Sequence, residues 1–360
     1  MKLSIHLPEE LLDEIFSHLR PDDRQSLRSC SLVSKSWLEP SRRLIFSSIL
    51  IHFHTYQSWL STISPTNTGV LRHVRSLEYF HHHQKPSDPR RGVYSLRDYL
   101  PSFSHLHTLT FRNFDVEETI PDHLEIFSAF QHTLSSLSLV HVSITWSTFV
   151  ALLGYFPRLR HLEVRRVLFR VDDRPAPQMN HALRGRMVID QLDNEGLKPF
   201  IDWFSGLRAE YEELVMLGPC EHRMVAAVGA NLRFLEINLS GGGTTPDLSR
   251  FPELRLLKIV TLDPQEDEHF LVSSITSANF QKLVVVLPPT FRWGPPRDTC
   301  LWPLFEEAVC GLSDRLRVLG ARHILEVRFH ARLGWGYSQK YRRAFLPKFQ
   351  EKGEVRIVSC

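Results

Sequence analysis

The sequence predicts an α/β fold in which three short N-terminal helices precede an irregular solenoid with a parallel, concave sheet. Two observations predict this fold. The first fifty residues contain three short segments whose apolar residues recur at helical spacing. From residue 70 onward, a phrase of the form Leu-x-x-Leu-x-apolar returns at intervals of about 21 to 32 residues.

The first segment is predicted to be an amphipathic helix. Leu11, Ile15 and Leu19 are spaced four residues apart, so they share one face of that helix. Pro8 suits the first turn, where its missing N–H costs nothing. Pro21 ends the helix.

A second helix is predicted to begin directly after the first. Asp22 is expected to cap it, with Gln25 three residues later completing a box-like arrangement. The apolar positions of this second helix are Leu27, Cys30 and Leu32 or Val33. A third segment around Trp37 follows it. Three such pieces carry more apolar surface than a unit this small can bury within itself. Docking onto something else is the simplest explanation of the excess apolar surface.

The order of these features resembles the F-box family. The family pattern begins with Leu-Pro, continues with an acidic, leucine-rich helix ending near Ile-Phe-x-x-Leu, and later reads Cys-x-x-Val-Ser-(Lys/Arg)-x-Trp. This chain has Leu7-Pro8, Ile15-Phe16-Ser17-His18-Leu19 and Cys30-Ser31-Leu32-Val33-Ser34-Lys35-Ser36-Trp37. The match covers about forty residues of the 360. An ordinary N-terminal helical hairpin is the alternative interpretation.

The resemblance implies a binding partner and a set of contact residues. It implies that residues 7–49 bind the SKP-type adaptor of a cullin-RING (SCF) ubiquitin ligase. Trp37 is the expected anchor, because large aromatic side chains often dominate interfaces. On this hypothesis, the residues that form the interface or its immediate support are Leu7, Pro8, Ile15, Leu19, Leu27, Cys30, Val33 and Trp37.

The recurring phrase predicts stacked repeats. Its fourth position falls at residues 77, 109, 137, 162, 188, 214, 235, 257 and 283, and the copy at 188 fits weakly. Most intervals fall within the range of about 20–29 residues typical of a leucine-rich repeat. Each short strand would bury alternate residues, and each unit needs a neighbour to cover its open side.

The repeats resemble the degenerate leucine-rich-repeat domain found behind F-boxes in fungal proteins. They depart from regular repeats because the asparagine or cysteine after the strand is mostly missing. An ordinary α/β domain is the alternative. Helices are predicted between the strands at 118–130, 146–156, 197–204 and 266–277, and beyond the repeats a helix at 301–312 and strands at 325–329 and 355–358.

These patterns predict four parts along the chain: an F-box domain at 1–50, a helical linker at 51–69, the repeats at 70–290 and a C-terminal cap at 291–360. In a solenoid, residues that alternate with the buried ones face the concave side. Their mixed charge indicates a protein target. The candidate target-binding residues are His161, Glu163, Arg165, Phe234, Glu236, Asn238 and Lys258.

Composition argues against several other functions. The net charge of +3, from 43 basic and 40 acidic residues, is too small to indicate nucleic-acid binding. No signal peptide and no apolar run long enough to span a membrane are expected. Five scattered cysteines without Cys-x-x-Cys spacing favour a reducing compartment, the cytoplasm or the nucleus, and predict neither disulfides nor a zinc site.

No catalytic, metal or cofactor site is predicted. The chain has no Gly-x-Ser-x-Gly and no His-Glu-x-x-His. His81, His82 and His83 are adjacent, so their side chains point in different directions, and no matched ligand set accompanies them. The chain is therefore expected to be a non-enzymatic ligase adaptor that holds an unidentified target protein.

Two alternatives stay open from the sequence. A repeat scaffold without a ligase role would use the N-terminal helices only as a cap, apolar on the one face that meets the first repeat. An F-box needs a second apolar face as well. An enzyme is the third possibility, if its catalytic residues meet only in three dimensions.

Overall fold

The computed structural model describes residues 8–19, 23–52, 65–80, 103–116, 124–170, 183–192, 194–206, 210–219, 222–239, 245–260, 266–287, 302–318, 324–329 and 355–359. The chain forms two compact units. Unit 1 comprises Met1–Leu159 and Val167–Asn180, and unit 2 comprises Arg160–Arg166 and His181–Cys360. None of the helices in the described ranges is both long and apolar enough to cross a membrane.

The described helices are, in chain order, α1 (Glu9–Ser17), α2 (Arg24–Ser31), α3 (Lys35–Ile45), α4 (Trp146–Tyr155), α5 (Asn194–Gly206), α6 (His222–Ala227), α7 (Glu266–Ser273) and α8 (Trp302–Val318). Short 3-10 helices lie at Pro65–His73, Leu124–Phe130 and Leu248–Arg250. The described strands are β1 (Ser48–His52), β2 (Ser76–Phe80), β3 (Thr108–Asp115), β4 (Ser136–Thr145), β5 (His161–Arg165), β6 (Leu168–Arg170), β7 (Arg184–Asp190), β8 (Glu210–Pro219), β9 (Phe234–Asn238), β10 (Leu256–Val260), β11 (Lys282–Leu287), β12 (Ile324–Phe329) and β13 (Val355–Ser359).

The three predicted N-terminal helices are confirmed as α1, α2 and α3. Leu12, Phe16 and Leu27 form their common core, and the partly buried residues packed against it are Leu19, Cys30, Trp37, Leu44 and Ile45. The predicted cap of α2 was wrong by one residue. Asp23 is the N-cap, and its carboxylate accepts a hydrogen bond from the backbone N–H of Ser26 at 3.2 Å.

Unit 1 continues from α3 into an open parallel sheet. Its strands lie in the order β1-β2-β3-β4, and β6 pairs with the end of β4. Ile49, Leu77, Leu109 and Leu137 occupy one register row and are all buried. The strand β1 was not predicted, because the sequence pattern divided its residues between the F-box domain and the helical linker predicted at 51–69. Residues 53–64 of that predicted linker lie outside the described residues, and 65–69 belong to the 3-10 helix Pro65–His73.

Unit 2 contains a second open parallel sheet whose strands lie in the order β5-β7-β8-β9-β10-β11-β12-β13. One register row runs through it and consists of Leu162, Met187, Leu214, Leu235, Leu257, Leu283 and Leu325. The weak copy of the phrase was therefore misplaced by one residue, since Met187 and not Val188 pairs with Leu162. Both side chains are apolar and both are buried, so the sequence alone could not choose between them.

A left-handed residue recurs at a fixed place in four repeats. Asn113, His141, Arg166 and Gln191 have φ angles of 54°, 55°, 51° and 44°. Each lies four residues after the buried residue of its register row. The left-handed backbone turns the chain at this point, so the buried face resumes at Phe114, Val142 and Val167. The spacing independently supports Met187 as the register residue of β7.

Most of the predicted elements between and after the repeats are present. The helices α4, α5, α7 and α8 and the strands β12 and β13 fall where the sequence predicted helices and strands. At 118–130 the described part, Leu124–Phe130, is a 3-10 helix. β12 and β13 extend the sheet of unit 2 in parallel. The chain is thus an α/β protein whose N-terminal helices precede open parallel sheets, consistent with a solenoid-like arrangement.

Candidate protein-interaction surfaces

The helix α1 is apolar on two faces. Leu12 and Phe16 point into the core with exposed fractions of 3% and 4%. Leu11 and Ile15, one turn apart, remain 45% and 38% exposed, and Pro8 is also exposed. A helix that only capped a neighbour would need the first face alone. The second face is therefore available to a partner.

The turn between α2 and α3 presents a second apolar pair to solvent. Leu32 is 86% exposed and Val33 is 63% exposed. Their backbone N–H groups donate to the carbonyls of Ser29 and Cys30, each at 3.1 Å, so the turn holds both residues in place. A partner that covered these two side chains would remove them from water. Apolar side chains that a partner buries in this way are common at the centres of protein interfaces.

Other predicted contact residues support the fold from inside. Leu27 is fully buried in the core. The ring of Trp37 packs edge-on against the ring of Phe16, with 5.6 Å between the ring centroids. The Oγ of Ser41 donates to the backbone carbonyl of Trp37 at 2.6 Å and so fixes this part of α3. Trp37 is half-buried, so it can contact a partner only through the edge that its own core leaves exposed.

The structure sorts the predicted adaptor-binding residues by burial. Pro8, Ile15 and Val33 are exposed, whereas Leu19, Cys30 and Trp37 are partly buried against the core. Leu7 lies outside the described residues. The sequence interpretation did not single out Leu11 and Leu32, which the structure shows to be exposed apolar residues. The four-residue spacing of Leu11 and Ile15 was visible, but it was assigned to the single face that also carries Leu19.

The candidate target-binding residues lie on one face of the sheet of unit 2. They occupy β5, β9 and β10, where they alternate with the buried leucine row. Several of their charges are already paired: the Nζ of Lys258 lies 2.6 Å from Oε1 of Glu236, and the Nε of Arg165 lies 2.5 Å from Oε1 of Glu163. Glu236 is buried. This face therefore offers paired charges and not a field of one sign.

His161 and Asn238 add polar groups to the same face. Burial lowers the pKa of His161, and the neighbouring Arg186 guanidinium lowers it further. The imidazole is accordingly neutral at neutral pH and can both donate and accept a hydrogen bond. The Nδ2 of Asn238 donates to the backbone carbonyl of Leu217 at 2.9 Å.

Within the described ranges, no group of three or more His, Cys, Asp or Glu side chains is placed to hold a metal ion. Burial raises the pKa of Tyr211, which keeps its hydroxyl protonated at neutral pH. The three adjacent histidines at 81–83 lie outside the described residues.

Comparison with known families identifies the N-terminal helices. No curated protein matches the chain. The family model described as F-box-like matches residues 5–51, a range that spans α1, α2, α3 and most of β1. F-box domains are modules that contact other proteins. The match and the doubly apolar α1 agree, and residues 5–51 of this chain are an F-box-like domain.

Proposed function

We propose that this protein is the substrate-recognition adaptor of an SCF-type ubiquitin ligase. In this function, the F-box-like domain binds a SKP-family adaptor and, through it, a cullin scaffold. The repeats of unit 2 bind a target protein, and the complex works in the cytoplasm or the nucleus. The protein needs no catalytic residue for this role, because it acts by holding a target near the transferring enzyme, where the effective concentration of target lysines is high.

The observation that carries the proposal is the second apolar face of the F-box-like domain. Leu11 and Ile15 expose this face on α1, although the core already buries Leu12 and Phe16. Leu32 and Val33 form a further exposed apolar pair on the turn between α2 and α3. Acidic side chains border the α1 face at Glu10 and Glu14. Apolar centres with polar rims are the usual anatomy of a protein interface.

Target recognition is proposed for the polar face of β5, β9 and β10. The opposite charges within each of its ion pairs neutralise one another. Hydrogen bonding and shape would therefore select the target more than long-range electrostatic attraction would. The side chain of Lys258 is only a quarter exposed, and that of Glu236 is less exposed. A target could therefore contact only the outer edge of this pair.

Capture of a purified SKP-type adaptor tests the proposal. We expect the wild-type chain to retain the adaptor and a Leu11→Ser/Ile15→Ser variant to lose it. Phe270→Ser, which changes an apolar side chain of unit 2 that is 61% exposed, is the matched control and should retain the adaptor. Trp37→Ala is less informative, because it also removes the packing against Phe16.

A scaffold without a ligase role is the second candidate, and one observation favours it. Oε1 of Glu39 on α3 lies 3.0 Å from Arg72 and 3.2 Å from His73, both at the end of the first 3-10 helix of unit 1. The N-terminal helices thus contact the structure that follows them, as a cap would. Failure of the folded wild-type chain to retain the adaptor would refute the ligase role and leave this candidate.

A further inference from the structure

A groove with basic walls opens between α2, α3 and β1. Its volume is about 430 Å³. Arg24 and Arg28 of α2 and Arg42 of α3 line it, and no carboxylate does so among the described residues. Its apolar lining includes Leu38, Ile45 and Leu50. The groove therefore combines positive charge with apolar surface.

The three guanidinium groups have no partners within the described part of the chain. Neither an ion pair nor a side-chain hydrogen bond occupies Arg24, Arg28 or Arg42 there. Elsewhere in unit 1, by contrast, Arg72 and Arg112 pair with Glu39 and Glu78 at 3.0 Å and 2.8 Å. Clustered arginines without counter-charges repel one another, and a planar guanidinium binds a carboxylate in a bidentate fashion.

One wall of the groove is the edge of a sheet. Among the described strands, β1 is the end strand of unit 1 and pairs only with β2. The carbonyl of Ser47 accepts from the N–H groups of Arg75 and Ser76 on the β2 side. Backbone groups alternate in direction along a strand, so those of Ser48 and Leu50 point toward the opposite edge. An edge strand of this kind can accept another strand.

We infer that this groove binds an extended acidic segment of a partner protein, which adds to β1 as a strand. In such a segment every second side chain faces the same way. Acidic residues at those positions would meet Arg24, Arg28 and Arg42, while the backbone would bond to the edge of β1 that lies opposite β2. None of the groove-lining residues belongs to the exposed apolar set of α1 and the α2–α3 turn, so this is a second surface, and it does not depend on the proposed ligase role.

The test uses the full-length chain and a short synthetic peptide of alternating glutamate and valine. We expect it to bind, and to bind at least about tenfold more tightly than the same peptide with glutamine in place of glutamate, since hydrogen bonds to charged groups are the stronger ones. N-methylation of alternate backbone nitrogens should also weaken binding, because it removes the N–H groups that a strand donates. Added salt should weaken binding as well.

Variants locate the site. Arg24→Gln/Arg28→Gln should reduce the affinity at least about tenfold. Arg43→Gln, an exposed arginine of α3 that does not line the groove, should leave it unchanged. Exposed positions make both variants compatible with folding.

Several outcomes would overturn the inference. Equal binding of the N-methylated peptide would exclude strand addition, and equal binding by the Arg24→Gln/Arg28→Gln variant would exclude the groove. If the wild-type chain sediments as a dimer and the Arg24→Gln/Arg28→Gln variant sediments as a monomer, the groove binds a second copy of this chain instead. Loss of adaptor capture in that variant would make the groove part of the adaptor interface.

Discussion

Replacing Leu32 and Val33 with alanine should weaken binding of the SKP-type adaptor without unfolding the F-box-like domain. Both side chains stand in solvent at the turn between α2 and α3. The proposed adaptor would cover them, so truncation removes apolar area that becomes buried only in the complex.

The exposed fractions set the size of the effect. Full burial of a leucine or valine side chain contributes about 1.5–3 kcal/mol. Scaled by exposures of 86% and 63%, the pair should lose about 2 to 4 kcal/mol of binding free energy. At about 1.4 kcal/mol for each factor of ten, the dissociation constant should rise roughly 30-fold to several hundredfold.

Isothermal titration calorimetry with the purified adaptor measures this change directly. The matched control is Val318→Ala, which truncates a side chain of α8 that is 88% exposed and lies outside the F-box-like domain. Its dissociation constant should equal that of the wild type. Circular dichroism should show that both variants keep the wild-type helix content, since exposed substitutions usually change stability by less than about 0.5 kcal/mol.

One result would refute the reasoning. If the Leu32→Ala/Val33→Ala variant binds within about threefold of the wild type, while Leu11→Ser/Ile15→Ser does not bind, then the adaptor contacts α1 but not the turn. Exposure in the free protein would then be a poor guide to the contact surface.

Three further changes test the core of the N-terminal helices and the first strand of unit 2. Leu27→Ala should destabilise the N-terminal helices by about 2–5 kcal/mol, because Leu27 is fully buried, and hydrogen exchange of α2 and α3 amides should accelerate accordingly. Arg166→Gly should stabilise the fold by roughly 0.5–1 kcal/mol, because glycine relieves the left-handed backbone at φ 51°, whereas Arg165→Gly within β5 should destabilise it. The pKa of His161 is lowered by burial and by Arg186, so the unfolded chain takes up the proton first as the pH falls. The free energy of unfolding should therefore fall as the pH drops below about 6.5. In thermal unfolding, the melting temperature of His161→Gln should fall less over this pH range than that of the wild type.

Each of these has a contrary outcome. Unchanged amide exchange in Leu27→Ala would mean that the three helices do not share one core. A lower melting temperature for Arg166→Gly would show that its side chain contributes more than the strain costs. If acid lowers the melting temperature of His161→Gln as much as that of the wild type, the group that takes up the proton is not His161.

Local patterns in the sequence predict most of the helices and strands of this fold and their order. Helical spacing in the first fifty residues indicated α1, α2 and α3, and the recurring leucine phrase located eight strands of the two sheets with one register residue correct in each. These features are local, because a side chain's place in a helix or strand follows from its spacing to near neighbours. The Leu-Pro and Cys-to-Trp motifs likewise indicated the F-box-like domain, since the motif is a pattern of residues close in sequence.

Contacts between distant parts of the chain select which residues of those elements are exposed to a partner. Leu27 and Val33 are both apolar and only six residues apart, yet one is fully buried and the other is 63% exposed. The weak repeat offered Met187 and Val188 equally, and pairing with Leu162 chose the first. The basic groove depends on α2, α3 and β1 meeting in space. Burial, register and grooves arise from contacts between residues distant in the chain, and periodicity does not encode those contacts.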